Sequence, residues 1–170
     1  MRRVLRPVVI AVLTIGIGRS AVANAQTATR IVYTKGAFGA NITSSRLDIP
    51  DTSDHYLAQS FRIDRGQTDS PRFVIEQEHV WVQGETRGNA RSYAGYAVYH
   101  MKGGDLVFLR WIADPKPAGT RADGEAAAFS GAITILGGTG SFARVNGTGI
   151  YRGYAKGAVL EENILTLTFP

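Results

Sequence analysis

The chain has 170 residues, with 19 Lys and Arg against 14 Asp and Glu and no cysteine. Thiol catalysis, thiolate metal sites and disulfide staples are thereby excluded. Four of the 19 basic residues (Arg2, Arg3, Arg6 and Arg19) fall in the first 25 positions, leaving 15 basic against 14 acidic residues, with no basic run to bind nucleic acid electrostatically.

Residues 1–25 read as a secretory signal peptide. A basic start at Met1, Arg2 and Arg3 precedes an apolar stretch over 8–17, and Ala23-Asn24-Ala25 supplies a small-x-small cleavage site. That apolar stretch is short for a membrane span, so no span is expected after processing. The expected products are a secreted or periplasmic location and a single domain over 26–170, ordinary in size and long enough for a core without staples.

Strand signals then follow one another. Residues 29–34 alternate apolar and polar, and 56–63 follows a polar loop containing Pro50, Asp51, Ser53 and Asp54. Residues 72–83 carry Phe73, Ile75, Val80, Trp81 and Val82, which suit a sheet. Residues 93–101 and 105–113 flank Lys102-Gly103-Gly104, a hairpin signal. A Pro/Gly/Asp loop over 115–124 leads to 126–136, and 146–154 and 158–169 form a last hairpin across Lys156-Gly157. No helical period holds over three turns. About eight short strands with tight turns predict an all-β fold, specifically an antiparallel eight-stranded closed barrel. Such a barrel is just wide enough to be filled by side chains or to hold one small ligand.

The run Gly137-Gly138-Thr139-Gly140-Ser141-Phe142-Ala143 has glycines that supply a tight reversal, with Phe142 and Val145 as apolar plugs. Gly137, Gly138 and Gly140 are therefore assigned to a structural turn. The spacing of Gly137, Gly140 and Ala143 also imitates a dinucleotide loop. That reading fails on context, because only 27 residues follow Ala143 and they show no βαβ pattern.

The same run, extended to Gly147, resembles the Gly-Gly-Thr-Gly-x-Phe signature of dirigent proteins and allene oxide cyclases. The closing Glu161-Glu162-Asn163-Ile164-Leu165 resembles the dirigent terminal strand. The likeness covers 101–169. It implies a lipocalin-like barrel that needs no cofactor and binds a small hydrophobic or aromatic metabolite. It further implies steering of that metabolite's cyclisation or coupling, and a homo-oligomer. The alternative is a non-catalytic barrel, either a lipophilic-ligand carrier or a structural periplasmic protein.

Candidate chemistry comes from side chains that share a wall. On 72–83, Glu76 and Glu78 alternate with Val74, Val80 and Val82, while Gln77 and His79 share the other face with Phe73, Ile75 and Trp81. Period two alone leaves open which face points inward. With the Val/Glu face inside, a buried Glu76 would have a raised pKa and could donate a proton. With the aromatic face inside, His79 would line the pocket. Arg110 lies among Leu106, Phe108 and Ile112, suited to a carboxylate or an oxyanion, or to a cross-strand Glu. Glu161 shares an apolar face with Val159, Leu165 and Leu167, and an ion pair with Arg110 or Arg152 is its structural alternative. The catalytic candidates are Glu76, Arg110 and Glu161, and the ligand-binding candidates are His79, Tyr99 and Tyr151. The three histidines are far apart in sequence and no metal site is expected.

Overall fold

Ten antiparallel strands make one continuous sheet in the computed structural model, which describes residues 28–36, 39–120, 124–154 and 160–169. They are β1 (Ala28–Lys35), β2 (Asn41–Asp48), β3 (His55–Asp64), β4 (Gln67–Thr68), β5 (Ile75–Arg87), β6 (Ala90–Met101), β7 (Leu106–Ala113), β8 (Phe129–Gly138), β9 (Asn146–Tyr154) and β10 (Leu160–Thr168). The order across the sheet is β2-β3-β5-β6-β7-β8-β9-β10-β1-β4. No α-helix occurs among the described residues, and none of their helices is long and apolar enough to cross a membrane. The expected signal peptide and the Lys156-Gly157 turn lie outside the described residues.

The all-β expectation holds, while the closed eight-stranded barrel does not. The sheet curls into a half-barrel with two edges, β2 and β4, and no backbone ladder joins them. Both added strands escape a hydrophobic pattern for a physical reason. All eight residues of β2 are exposed, so neither face alternates. β4 is only two residues long, held by Tyr33 opposite Thr68 and Thr34 opposite Gln67.

The chain crosses the seam once, through Arg65 and Gly66 from β3 into β4, which pairs with β1, and side-chain chemistry reinforces the crossing. Lys35, at the end of β1, places its Nζ 3.3 Å from Asp64 of β3, 2.8 Å from Glu78 of β5 and 2.6 Å from Glu161 of β10. β3 and β5 lie near one sheet edge, and β10 and β1 near the other. Asp64 is tied in further by the Arg62 guanidinium at 2.9 Å and by the Gly39 amide at 2.8 Å. Beside this cluster the Val32 amide donates to the Asp69 carboxylate, and the Asp69 amide to the Val32 carbonyl.

One end of the concave side is solid. Phe73 packs edge-on against Phe142 (5.5 Å between centroids) and Tyr99 (6.3 Å) and touches Phe169, above a floor of Ile31, Ile75, Met101, Val107, Ile135 and Leu167. Burying each such side chain stabilises the fold by roughly 1.5–3 kcal/mol. The glycine turn closes this end. Gly137 and Gly140 adopt positive φ, and residues Gly140–Phe142 form a single 3-10 turn. The Asp105 carboxylate accepts from the Ser141 amide, and the Thr139 hydroxyl accepts from the Leu106 amide. The turn thereby drives Phe142 and Val145 inward.

Removing the cation while leaving three buried carboxylates should be costly. Lys35→Met is expected to lower stability by about 3–5 kcal/mol, the usual cost of breaking a buried pair from one side. Denaturant unfolding measures this, and a loss below about 1 kcal/mol would contradict a seam held by Lys35.

Candidate functional site

Above the phenylalanine floor the concave side stays open as a cavity of about 290 Å³. Its deep end carries Lys35, Glu78, Glu161, Tyr99 and Asn163, and its walls carry Val80, Val82, Leu109, Ile133, Tyr93, Trp111, Phe129 and Tyr151.

Four of these wall residues are aromatic, and each sits directly across a ladder from a glycine. Tyr93 faces Gly84, Trp111 faces Gly95, Tyr151 faces Gly131 and Phe129 faces Gly153. A Cβ built on any of the four glycines would collide with the facing ring. Each ring therefore lies flat over its glycine instead of projecting across the lumen. Aromatic side chains commonly fill a barrel of this size; here they leave space between them. The rings also brace one another, with Trp111 and Tyr151 edge-on at 5.9 Å and Phe129 and Tyr151 at 6.4 Å.

The phase of β5 selects the acid. Ile75 pairs with Met101 and Gln77 pairs with His100, so Glu76 is the extra residue of a β-bulge. A bulge shifts the two-residue period by one. Ile75 points inward before it, and Glu78, Val80 and Val82 point inward after it. Glu76 is consequently exposed, and Glu78 is 3% exposed at the cavity floor.

The remaining sequence candidates separate by face. Glu161 is buried in the cavity, and its partner is Lys35 in place of the expected Arg110 or Arg152. Tyr99 and Tyr151 line the cavity as expected. Arg110 is exposed on the convex face, opposite Tyr96 and Thr134. His79 also lies on the convex side, half-buried, 4.1 Å from the His100 ring and edge-on to Phe61 at 5.6 Å. Its pKa is lowered by partial desolvation and by His100. Among the described residues no group of three His, Cys, Asp or Glu side chains could hold a metal ion.

Lys35, Asp64, Arg62, Asn163 and Trp111 were not singled out from sequence. Lys35 was legible in principle, since Ile31, Tyr33 and Lys35 continue one face by period two. The bulge at Glu76 leaves no such sign.

The electrostatics follow from burial. Desolvation alone would lower the Lys35 pKa, but Glu78, Glu161 and Asp64 outweigh it and hold the ammonium above the usual lysine range. Lys35 is thus protonated at neutral pH and unsuited to act as a nucleophile. The Glu78 carboxyl is pushed up by burial, and the charges of Glu161 and Asp64 add to this against the opposing pull of Lys35. Burial likewise raises the hydroxyls of Tyr33, Tyr99 and Tyr151, which remain protonated. With every acid and base ionised, Lys35 and Arg62 face Asp64, Glu78 and Glu161, an excess of one negative charge. Asn163 donates from Nδ2 to the Tyr99 hydroxyl at 3.2 Å. Its Oδ1 and the Trp111 Nε1 are buried without a hydrogen-bond partner.

Comparison with known family models, curated proteins and solved structures returns no match for this chain.

Two outcomes follow from this geometry. Gly153→Ala forces the Phe129 ring off its seat and is expected to cost about 1–3 kcal/mol by overpacking. Thermal unfolding reads this, and an unchanged Tm would contradict the ring-on-glycine packing. In carboxyl-labelled NMR, Glu78 is expected to titrate above its ordinary value of 4.5, and lower in Glu161→Gln than in the native chain. A raised folded pKa means that the Glu78 contribution to stability is present below the unfolded value and is lost as pH rises through the folded one. A Glu78 titration at or below 4.5 would contradict the assignment.

Proposed function

We propose that this chain is an exported, cofactor-independent half-barrel that binds a small apolar or aromatic molecule in its cavity. There it isomerises or cyclises the molecule by proton transfer through Glu78. The observation that carries the reading is a buried carboxyl with a raised pKa at the floor of an aromatic-walled cavity. Glu78 gives its proton to one atom of the ligand and takes one back from another, so the product keeps the mass of the substrate. Lys35 and Glu161 set the acidity of Glu78 and hold it in place. Tyr93, Trp111, Phe129 and Tyr151 enclose the reacting molecule and limit its folding geometry. The resemblance of 101–169 to the dirigent and allene oxide cyclase signature supports the same class of chemistry, and the signal-like residues 1–25 support export.

A second reading, a carrier that holds its ligand unchanged, shares the cavity but has no use for a raised carboxyl. Small molecules extracted from the native chain and from Glu78→Gln, each purified from the host, separate the two. The isomerase reading predicts that Glu78→Gln retains a molecule which the native protein converts to an isomer of equal mass. A molecule recovered unchanged after incubation with the native protein would overturn it in favour of the carrier.

A further inference from the structure

We infer that the cavity is built for a ligand carrying a protonated amine next to an aromatic or apolar body, and that it excludes carboxylates. The inference rests on the cavity being a ligand site and adds the charge of its occupant. Three observations converge on it.

The first is the charge count. Lys35, Arg62, Glu78 and Glu161 line the cavity, and Asp64 lies against both cations, so that among the described residues the fully ionised cluster carries one net negative charge. In a site of low dielectric an uncompensated charge is expensive, and a cation entering from the cavity supplies what is missing. An anion entering the same space meets Glu78 and Glu161, while the two cations that also line it, Lys35 and Arg62, are already paired with carboxylates.

The second is hydrogen bonding. Asn163, 2% exposed, lines the cavity with an Oδ1 that has no partner. One N–H of its Nδ2 donates to the Tyr99 hydroxyl, and the atom left with no partner is the acceptor Oδ1. An unmatched buried acceptor favours a donor in the ligand, and an N–H of an ammonium gives a charge-assisted bond. Asn163 and Glu161 alternate on one face of β10, both at the cavity. A single ammonium can therefore be placed between an amide oxygen and a carboxylate.

The third is the wall. The rings of Trp111, Tyr151, Phe129 and Tyr93 line the cavity beyond the charged floor. Such rings attract cations through their faces and accept an aromatic body edge-on. The unpartnered Nε1–H of Trp111 suits an oxygen at the far end of the ligand, such as an ether or hydroxyl.

The test uses three probes of like shape and different charge: phenethylammonium, 2-phenylethanol and 3-phenylpropionate. Each is titrated calorimetrically into the native protein at neutral pH and low salt. Phenethylammonium is expected to bind about tenfold or more tightly than 2-phenylethanol, and 3-phenylpropionate is expected not to saturate. In Glu161→Gln, checked for native fold by near-UV circular dichroism, the advantage of the amine over the alcohol should shrink. Equal or tighter binding of the alcohol or the carboxylate would overturn the charge assignment while leaving the cavity as a ligand site. An undiminished advantage in folded Glu161→Gln would also overturn it. Failure of all three probes to bind would overturn both the assignment and the cavity reading on which it rests.

Discussion

The Lys35 ammonium, enclosed by carboxylates from three other strands, is the interaction on which the rest of this architecture depends. A sheet of ten strands with two free edges is held in its half-barrel curl by one short backbone link, the two-residue strand β4 that follows β3 and pairs with β1. Lys35 adds a side-chain link, because Asp64 of β3 and Glu78 of β5 share its ammonium with Glu161 of β10. A ladder across the seam would satisfy backbone groups and leave no polar chemistry inside. A side-chain bridge instead delivers ionisable groups to the concave face, and they become the floor of the cavity. Structure and candidate chemistry thus share the same atoms. The cost of burying Lys35, Asp64, Glu78 and Glu161 is offset by their mutual pairing, which ties the acidity of Glu78 to the integrity of the seam.

A second constraint keeps the cavity open. A concave sheet rich in Tyr, Trp and Phe would ordinarily fill itself, since large rings dominate core packing. Four cross-strand glycines let four rings lie down on the sheet. The solid end, by contrast, has Phe73, Phe142 and Phe169 stacked across the lumen, with no glycine beneath Phe73 or Phe169 in any ladder. The half-barrel is in this way divided between a packed end that carries stability and a hollow end that carries the site. This division also explains why the glycine run at 137–140 belongs to the packed end: its turn inserts Phe142 and Val145 into the core and contributes nothing to the cavity wall.

Much of this was readable from the chain, and what escaped did so for definable reasons. Hydrophobic alternation identified eight of the ten strands, the Lys102-Gly103-Gly104 hairpin and the turn role of Gly137 and Gly140, because each follows from local conformational preference. Strand β2 is exposed on both faces and β4 is two residues long, so neither generates a period. Glu161, Tyr99 and Tyr151 were reached by alternation alone, since their strands run without a break of phase. Glu76 and Glu78 occupy equivalent positions on an unbroken strand, so alternation does not separate them. The bulge that separates them depends on pairing with β6, which is tertiary information. Arg110 looked embedded among Leu106, Phe108 and Ile112, but that face is the convex one, where Ile112 and Tyr96 are themselves exposed. The seam was invisible for a similar reason: Lys35, Asp64, Glu78 and Glu161 are spread over 127 positions and meet only through curvature.

The central claim is that burial and the charges of Glu161 and Asp64 outweigh Lys35, so that Glu78 holds its proton above the ordinary carboxyl value beside a protonated Lys35. Neutron diffraction from a perdeuterated crystal grown at pH 4.5, the ordinary value of the group, tests this most directly, since it locates each deuteron in the cluster. The account predicts three deuterons on Lys35 Nζ and one on a carboxyl oxygen of Glu78. Two deuterons on Lys35, or a Glu78 carboxylate bare of deuterium, would contradict it.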